Sequence, residues 1–495
     1  MAYDASFMTG SETRPVDPIG IGFHHNDQEI ADLNGEHHVI HLTEGMLNQA
    51  LESFEQATDL SGQLHASVRR GEKLSNTSYL LLKTSLKRVV RKSNAALDPL
   101  PAMESLDPYT QRELTMVMEN VVTETIKNIW EKIKSTFIAM HNKIKTWFIK
   151  AFDGAGKLKN QATALKAKAE GLSAATAKNN QFDMSGVKFL NLNGKIPNAQ
   201  EIGQGIELIN SITGILLGKN ADSYNNLFKQ IETGLKTTLE QAKNMKDSTI
   251  EKPGEKEGGA TPKIAEAFSG GITSEKYVPG TVTNASGTSI QDNGQSNKLT
   301  SEIFGGFFTL AKNAGIDVAT GKELKDNRWE GGKLFAYRNP KDFLGGIMLV
   351  AAFPAGGPDT IESYADFKSG FKIGPEPIVN PPKELDDNGS FITAPIALII
   401  SICENVISAC HALMNYKLLF EARDKNTGNL MKQMEQAVSS NGGVKGVGEK
   451  HIQNTISATV AIIKKQQDGE TRWAKYAFSV LNKSIVYCRN SLAQY

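Results

Sequence analysis

Five of the nine histidines crowd into eighteen residues, as His24, His25, His37, His38 and His41. His37 and His41 stand one helical turn apart, so two imidazole nitrogens could meet on one face and hold a metal ion. The surrounding run, GEHHVIHL, supplies no cysteine and no HExxH order, so the spacing alone does not build a metal site. Cys403, Cys410 and Cys488 show neither a CxxC pair nor a Cys/His ligand spacing. They fall in apolar helical stretches, where a structural thiol is the ordinary expectation. GILLGKN around Lys219 lacks the spacing and the hydroxyl of a phosphate loop, and GQGIEL at Gly203 lacks the third glycine of a dinucleotide fingerprint. No GxSxG nucleophile motif is present. The expectation is a chain that is not an enzyme and carries no catalytic residues, resident metal or cofactor.

The strongest constellation is basic and aromatic instead. Between Ile126 and Lys168 there are ten lysines against two acids, Glu131 and Asp153, together with two of the four tryptophans. Ile126, Trp130, Ile133, Phe137, Met140, Ile144 and Trp147 alternate four- and three-residue steps, which places them on one stripe of a helix. Lys127, Lys132, Lys134, Lys143, Lys145 and Lys150 are the candidate phosphate or partner contacts around that stripe. Three uses are open for such a helix. It could lie on a membrane with its aromatic face inward. It could neutralise nucleic-acid phosphates without reading sequence. It could pack its stripe on neighbouring helices and leave the lysines to water.

The elements that must carry these residues are mainly helical. A chain of 495 residues has room for two to four domains, and its 22% charged and 7% aromatic composition is that of a soluble, helix-rich protein. The opening MAYDASFMTGSETRPVDP has no basic region followed by an apolar run, so no signal peptide is expected and synthesis in cytoplasm is the default. Residues 1–42 are polar and aperiodic and read as weakly structured. Thr43 is the expected N-cap of a first helix carrying Met46, Leu47, Ala50, Leu51 and Phe54, and a second helix is predicted from Asn76 to just before Asn94. LDPLPAMESLDP, residues 97–108, reads as an extended, accessible linker. Helix resumes at Asp107 and is expected to break at Gly154 and Gly156 before KLKNQATALKAKAEGL.

Downstream, AQEIGQGIELINSITGILL reads as helix, 251–300 as a Gly/Ser/Thr-rich loop, and KLFAYRN with GIMLVAAF as a pair of strands. The C-terminal part is again helical. Phe391 to Met414 is long enough to cross a bilayer, yet Glu404 and its polar neighbours favour a core helix. The predicted fold is therefore mainly α, with helical bundles at the N- and C-terminal ends and a smaller central α/β region. Its expected divisions are an acidic, partly helical leader over 1–104, the Lys/Trp-rich segment over 105–180, the central region over 181–390 and the C-terminal helices over 391–495. The leader holds nine Lys and Arg against fourteen Asp and Glu, leaving a body of net +6.

Several pieces together resemble the internal head proteins of large tailed bacteriophages of the myovirus type. They are the acidic helical LNQALESFEQATDLSGQLHASVRRGEKLS, the AMESLD stretch, WEKIKSTF with KTWFIKAFDGAGKLKNQATALKAKAEGL, TAPIALIISICENVISACHAL, and the ending NKSIVYCRNSLAQY. The resemblance implies a non-enzymatic virion protein that is assembled in the host cytoplasm and packaged inside the capsid with the genome. It also implies trimming by a prohead protease that cuts after glutamate, with a small or apolar residue two places before. Ala102, Met103 and Glu104 fit that pattern, which puts the cut before Ser105; Gly10-Ser11-Glu12 and Ser53-Phe54-Glu55 fit in part. The implied partners are other capsid or inner-core proteins, the protease and, without sequence preference, genomic DNA. Membrane contact would follow only on ejection. Loss of an acidic leader from a basic body would then act as a charge switch for DNA attraction. The alternative function is a membrane-active helical effector or pore-former.

Overall fold

The computed structural model describes residues 24–69, 75–96, 111–172, 175–214 and 217, strand segments at 282–283, 289–290, 317–320, 332–338, 343–354 and 372–377, and residues 386–440 and 447–495. The elements run α1 (His24–Arg69), α2 (Asn76–Ser93), α3 (Gln111–Gly171), β1 (Gln181–Ser185), α4 (Val187–Leu190) and α5 (Ala199–Thr213). There follow β2 (Val282–Thr283), β3 (Ser289–Ile290), β4 (Asp317–Thr320), β5 (Gly332–Arg338), β6 (Ile347–Pro354), β7 (Lys372–Pro377) and β8 (Asn388–Ile392). Two long helices, α6 (Ile396–Ser440) and α7 (Val447–Leu492), finish the chain. The fold is mainly α, as expected.

The helices at the two ends of the chain form one bundle. α3 packs along α1 and along α6, and α7 touches α1, α3 and α6. One continuous set of buried apolar side chains runs from Leu33 to Leu492. With 61 residues, α3 extends about 90 Å at 1.5 Å per residue. Gly154 and Gly156 do not break it. Each glycine costs about 1 kcal/mol against alanine, while buried Phe148, Phe152 and Leu158 each contribute about 1.5–3 kcal/mol from burial.

Thr43 does not cap a helix. α1 already runs from His24, and Thr43 lies inside it with its hydroxyl donating to the Val39 carbonyl at 2.9 Å. That four-residue back-bond gives a mid-helix threonine a partner without ending the helix. The buried positions Leu33, His37 and Ile40 extend the inward stripe upstream of Thr43, so the polar composition there was the solvent face of a helix. α2 falls where it was predicted. Ser75 caps its start by accepting from the Ser78 N–H, and Asn94 ends it in the left-handed conformation at φ 53°.

The central region hangs from this bundle. β1 and β8 pair antiparallel with Phe182 opposite Phe391, and both rings pack on Tyr487 of α7 at 5.8 and 5.9 Å. β5 and β6 pair antiparallel as predicted, within a four-stranded sheet of order β4-β5-β6-β7. The turn before β6 bends through Gly345 at φ 77°, whose N–H donates to the Asn191 carbonyl at 2.8 Å. A Cβ there would stand 3.2 Å from the Phe189 carbonyl oxygen. Gly203 and Gly205 of the GQGIEL run lie within α5, where the side chains of Leu398 and Leu344 close on them. Gly203 admits the close approach of α6, and Gly205 that of the turn before β6. Apart from β2 and β3, the 251–300 stretch lies outside the described residues, as do 1–23 and the 97–110 linker.

Candidate functional site

The aromatic stripe of α3 faces protein. Ile126, Trp130, Ile133, Phe137, Met140, Ile144 and Trp147 are all buried. Trp130 stacks at a tilt on Phe54 of α1 with ring centroids 6.2 Å apart. Its indole N–H finds no hydrogen-bond partner among the described residues. The Trp147 indole, by contrast, donates to the Leu33 carbonyl at 3.0 Å. On the far side Phe148 meets Tyr416 and Phe420 of α6 at 5.0 and 5.2 Å. Both flanks of α3 are thereby occupied by long helices.

Four of its six candidate lysines hold carboxylates of the same chain. Lys127 pairs with Glu124 at 2.6 Å, one turn away. Lys134 bonds Glu435 of α6, Lys145 bonds Asp424 of α6 at 2.6 Å, and Lys150 bonds Glu36 of α1. Further along, Lys166 reaches Glu404 of α6 at 2.7 Å. Lys143 is exposed and Lys132 half-buried, and no carboxylate among the described residues pairs with either. Lys134, Lys145, Lys150 and Lys166 thus fasten α3 to its neighbouring helices.

A polar chain crosses the bundle, buried at Gln467 and His141 and open to solvent at Lys145. Gln467 of α7 bonds His141 Nδ1 at 2.9 Å, and His141 Nε2 bonds Asp424 at 2.8 Å. His141 also stacks on Phe420 at 5.7 Å. Burial pushes the Asp424 carboxyl up, but the Lys145 and His141 hydrogen bonds outweigh it and hold the group below its usual value. Sequence reading missed this network because its members lie about 280 to 330 residues apart. The imidazole has two protein partners and a stacked ring, which suits holding three helices in register.

Within the histidine cluster, His37 is packed into the bundle. His37 and His41 meet edge to face at 4.4 Å, and His37 lies 6.3 Å from the Trp147 ring. Burial first, then the Lys475, His41 and Arg472 charges, depress the His37 imidazole to about 3. It is neutral at physiological pH. His41, Glu44 and Asp468 place three possible metal-ligand atoms within 4.8 Å of one another. The donor set does not fit a cation, because Lys464 holds Glu44 at 3.1 Å and Arg472 holds Asp468 at 3.1 Å. The two carboxylates are already neutralised.

The thiols are buried, and burial pushes Cys410 up to about 12 and raises Cys488 as well. α6 is long and apolar enough to cross a membrane by composition. Its Ile399, Ile402, Cys403, Val406, Cys410 and Leu413 are nevertheless in the core, while Ser401, Glu404, Ser408 and His411 face outward. Of the candidate cleavage sequences, Ala102, Met103, Glu104 and Ser105 lie outside the described residues, as does Gly10-Ser11-Glu12. Ser53-Phe54-Glu55 lies inside α1 with Ser53 and Phe54 fully buried, where no protease could bind it extended.

The described residues form a helical bundle fastened by its own ion pairs. The family model for phiKZ-like phage internal head proteins matches residues 27–490. The chain belongs to that family. No curated protein and no solved structure matches it. As a phiKZ-like internal head protein it resides inside the phage capsid in the virion, among other virion components. The match begins within α1 and ends within α7, so all four long helices belong to the family's shared body.

Proposed function

We propose that this internal head protein is a non-enzymatic structural element that is cut after Glu104 during maturation and stays one folded body afterwards. The observation that carries the reading is the seam between α1 and α3. Leu47, Leu51 and Phe54 are completely buried in the common core, Trp147 donates to Leu33, and Glu36 and Glu44 hold Lys150 and Lys464 of the body. A cut in the proline-bearing 97–108 linker severs the chain between elements and leaves every one of those contacts in place. Release of the leader would strip two tryptophans and a lysine of 1% exposure of their partners.

The prohead protease and neighbouring capsid or inner-core proteins are the partners this reading requires, with DNA contact as a further role. Burial of the apolar stripes of α3 and α6 favours the architectural reading over a membrane-active one. Mass spectrometry of purified particles tests the reading. The expected result is a peptide that begins at Ser105 without a tryptic cut, together with α1 and α2 peptides at matching abundance. Full-length chain alone, or a body without α1 peptides, would overturn it.

A further inference from the structure

We propose that the outward face of α2 is the surface through which this protein holds the phosphate backbone of duplex DNA, with Lys87, Arg88 and Arg91 as the contacts. The inference deepens the DNA role named above and rests on the chain's place inside the head. It moves that role away from α3, whose Lys127, Lys134, Lys145 and Lys150 are tied to carboxylates.

α2 has the sequence NTSYLLLKTSLKRVVRKS, with five cations and no acid. Its Tyr79, Leu82, Leu86, Val89 and Val90 are buried. Two of the cations are engaged: Lys92 bonds Glu52 of α1 at 2.7 Å, and Lys83 stands 5.6 Å from the Tyr79 ring centroid. Lys87, Arg88 and Arg91 are exposed, and none pairs with a carboxylate among the described residues. Their spacing of i, i+1 and i+4 keeps them within one side of the helix and about 6 Å of its axis.

That arrangement fits a dense polyanion. Duplex DNA presents one negative charge per about 1.7 Å of axis, so three cations in so short a span each find a phosphate. Two of them are arginines, whose planar fork grips phosphate in two directions. The platform is fixed by the Ser75 and Asn94 caps and by the seam with α1, so little order is lost on binding. A lipid surface is the poorer fit, because a membrane-lying helix must insert a continuous apolar face, and α2 keeps Leu82, Leu86, Val89 and Val90 in the core and exposes Leu80 and Leu81 alone of its large apolar side chains.

The test uses the full chain and a mixed-sequence duplex, with affinity followed from about 50 to 200 mM salt. The triple variant Lys87→Gln, Arg88→Gln, Arg91→Gln should lower the slope of log affinity against log salt by about 2.7, from about 0.9 per phosphate contact. Lys87→Arg, Arg88→Lys, Arg91→Lys should retain the slope. Unchanged melting temperatures establish that the exposed substitutions leave the fold intact. Wild-type slope in the triple Gln variant overturns the proposal, as does absence of wild-type DNA binding at the lowest salt. So does a loss confined to phosphatidylglycerol vesicles. Particle mass spectrometry reports on the structural reading separately, whatever the DNA slope.

Discussion

If the seam between α1 and α3 is part of the folding core, a chain cut between Glu104 and Ser105 must remain a single particle. The perturbation is an engineered protease site placed there and cleaved in the purified, folded protein. Six large apolar side chains of α1 are buried, Leu33, Ile40, Leu47, Leu51, Phe54 and Leu64. At about 1.5–3 kcal/mol each, their burial is worth on the order of 9–18 kcal/mol before α2 is counted. That gross figure is an upper bound against a compact unfolded state. It meets an association cost of about 4–15 kcal/mol only if the leader leaves and rebinds, whereas a cut made in the folded state starts from the docked arrangement. Size-exclusion chromatography after cleavage should give one peak holding both fragments, and separation should need denaturant. Leu51→Ala, which removes a buried side chain at a cost of about 2–5 kcal/mol, should lower the denaturant concentration at which they part. Fragments that elute apart in native buffer would refute the reasoning.

Other outcomes follow from single positions. Trp147→Phe and Trp130→Phe remove the same ring volume, but only the first removes a hydrogen bond; its urea midpoint should reflect about 1 kcal/mol more destabilisation, and equal midpoints would remove the assigned role of the Leu33 contact. His37 remains neutral in the fold down to about 3, whereas in the unfolded chain it gains a proton below its ordinary 6.5. The unfolded state therefore binds more protons in that window, and stability falls by about 1.4 kcal/mol per unit as pH drops below 6.5, or about 2 kcal/mol at pH 5. His37→Gln should flatten melting temperature against pH over that range, and an unaltered profile would count against it. A Cβ on Gly205 would stand 2.5 Å from Leu344 Cγ, while one on Gly62 meets nothing within 4 Å. Gly205→Ala should cost about 1–3 kcal/mol by overpacking, and Gly62→Ala should stabilise α1 by about 0.5–1 kcal/mol. Thermal melts that rank the two the other way would contradict the packing.

What was legible in the sequence was whatever depends on near neighbours. The 4-3 spacing from Ile126 to Trp147 marks a buried stripe because helical periodicity is local. The Asn94 stop is local too, since it needs only a residue at ease in the left-handed region. The hairpin of β5 and β6 was visible for the same reason. Boundaries failed where tertiary packing overrode a local signal, as at Gly154 and Gly156, or where a side chain had two local options, as at Thr43. The partners of the lysines were illegible on principle. Glu36, Asp424 and Glu435 lie 114, 279 and 301 residues from the lysines they hold, and no period links such positions. The candidate lysines of α3 looked free because only the intrahelical Glu124, Glu131 and Asp153 stand near them in the chain.

The same distinction changes how charge must be read in this protein. Counted by segment, residues 1–104 are acidic and the remainder is basic. Counted by direction, Glu36, Glu44 and Glu52 of α1 are engaged by Lys150, Lys464 and Lys92, while Lys87, Arg88 and Arg91 of α2 project outward. The part of the chain that is acidic by count therefore presents a cationic face. Proteolysis that leaves both parts docked removes no charge, so it cannot act as a switch through net charge. Intact and cut protein should show the same salt slope on duplex DNA, each dependent on the three α2 cations. A steeper slope after the cut would mean that the acidic segment had left, and would restore charge removal as the event that prepares the body for DNA.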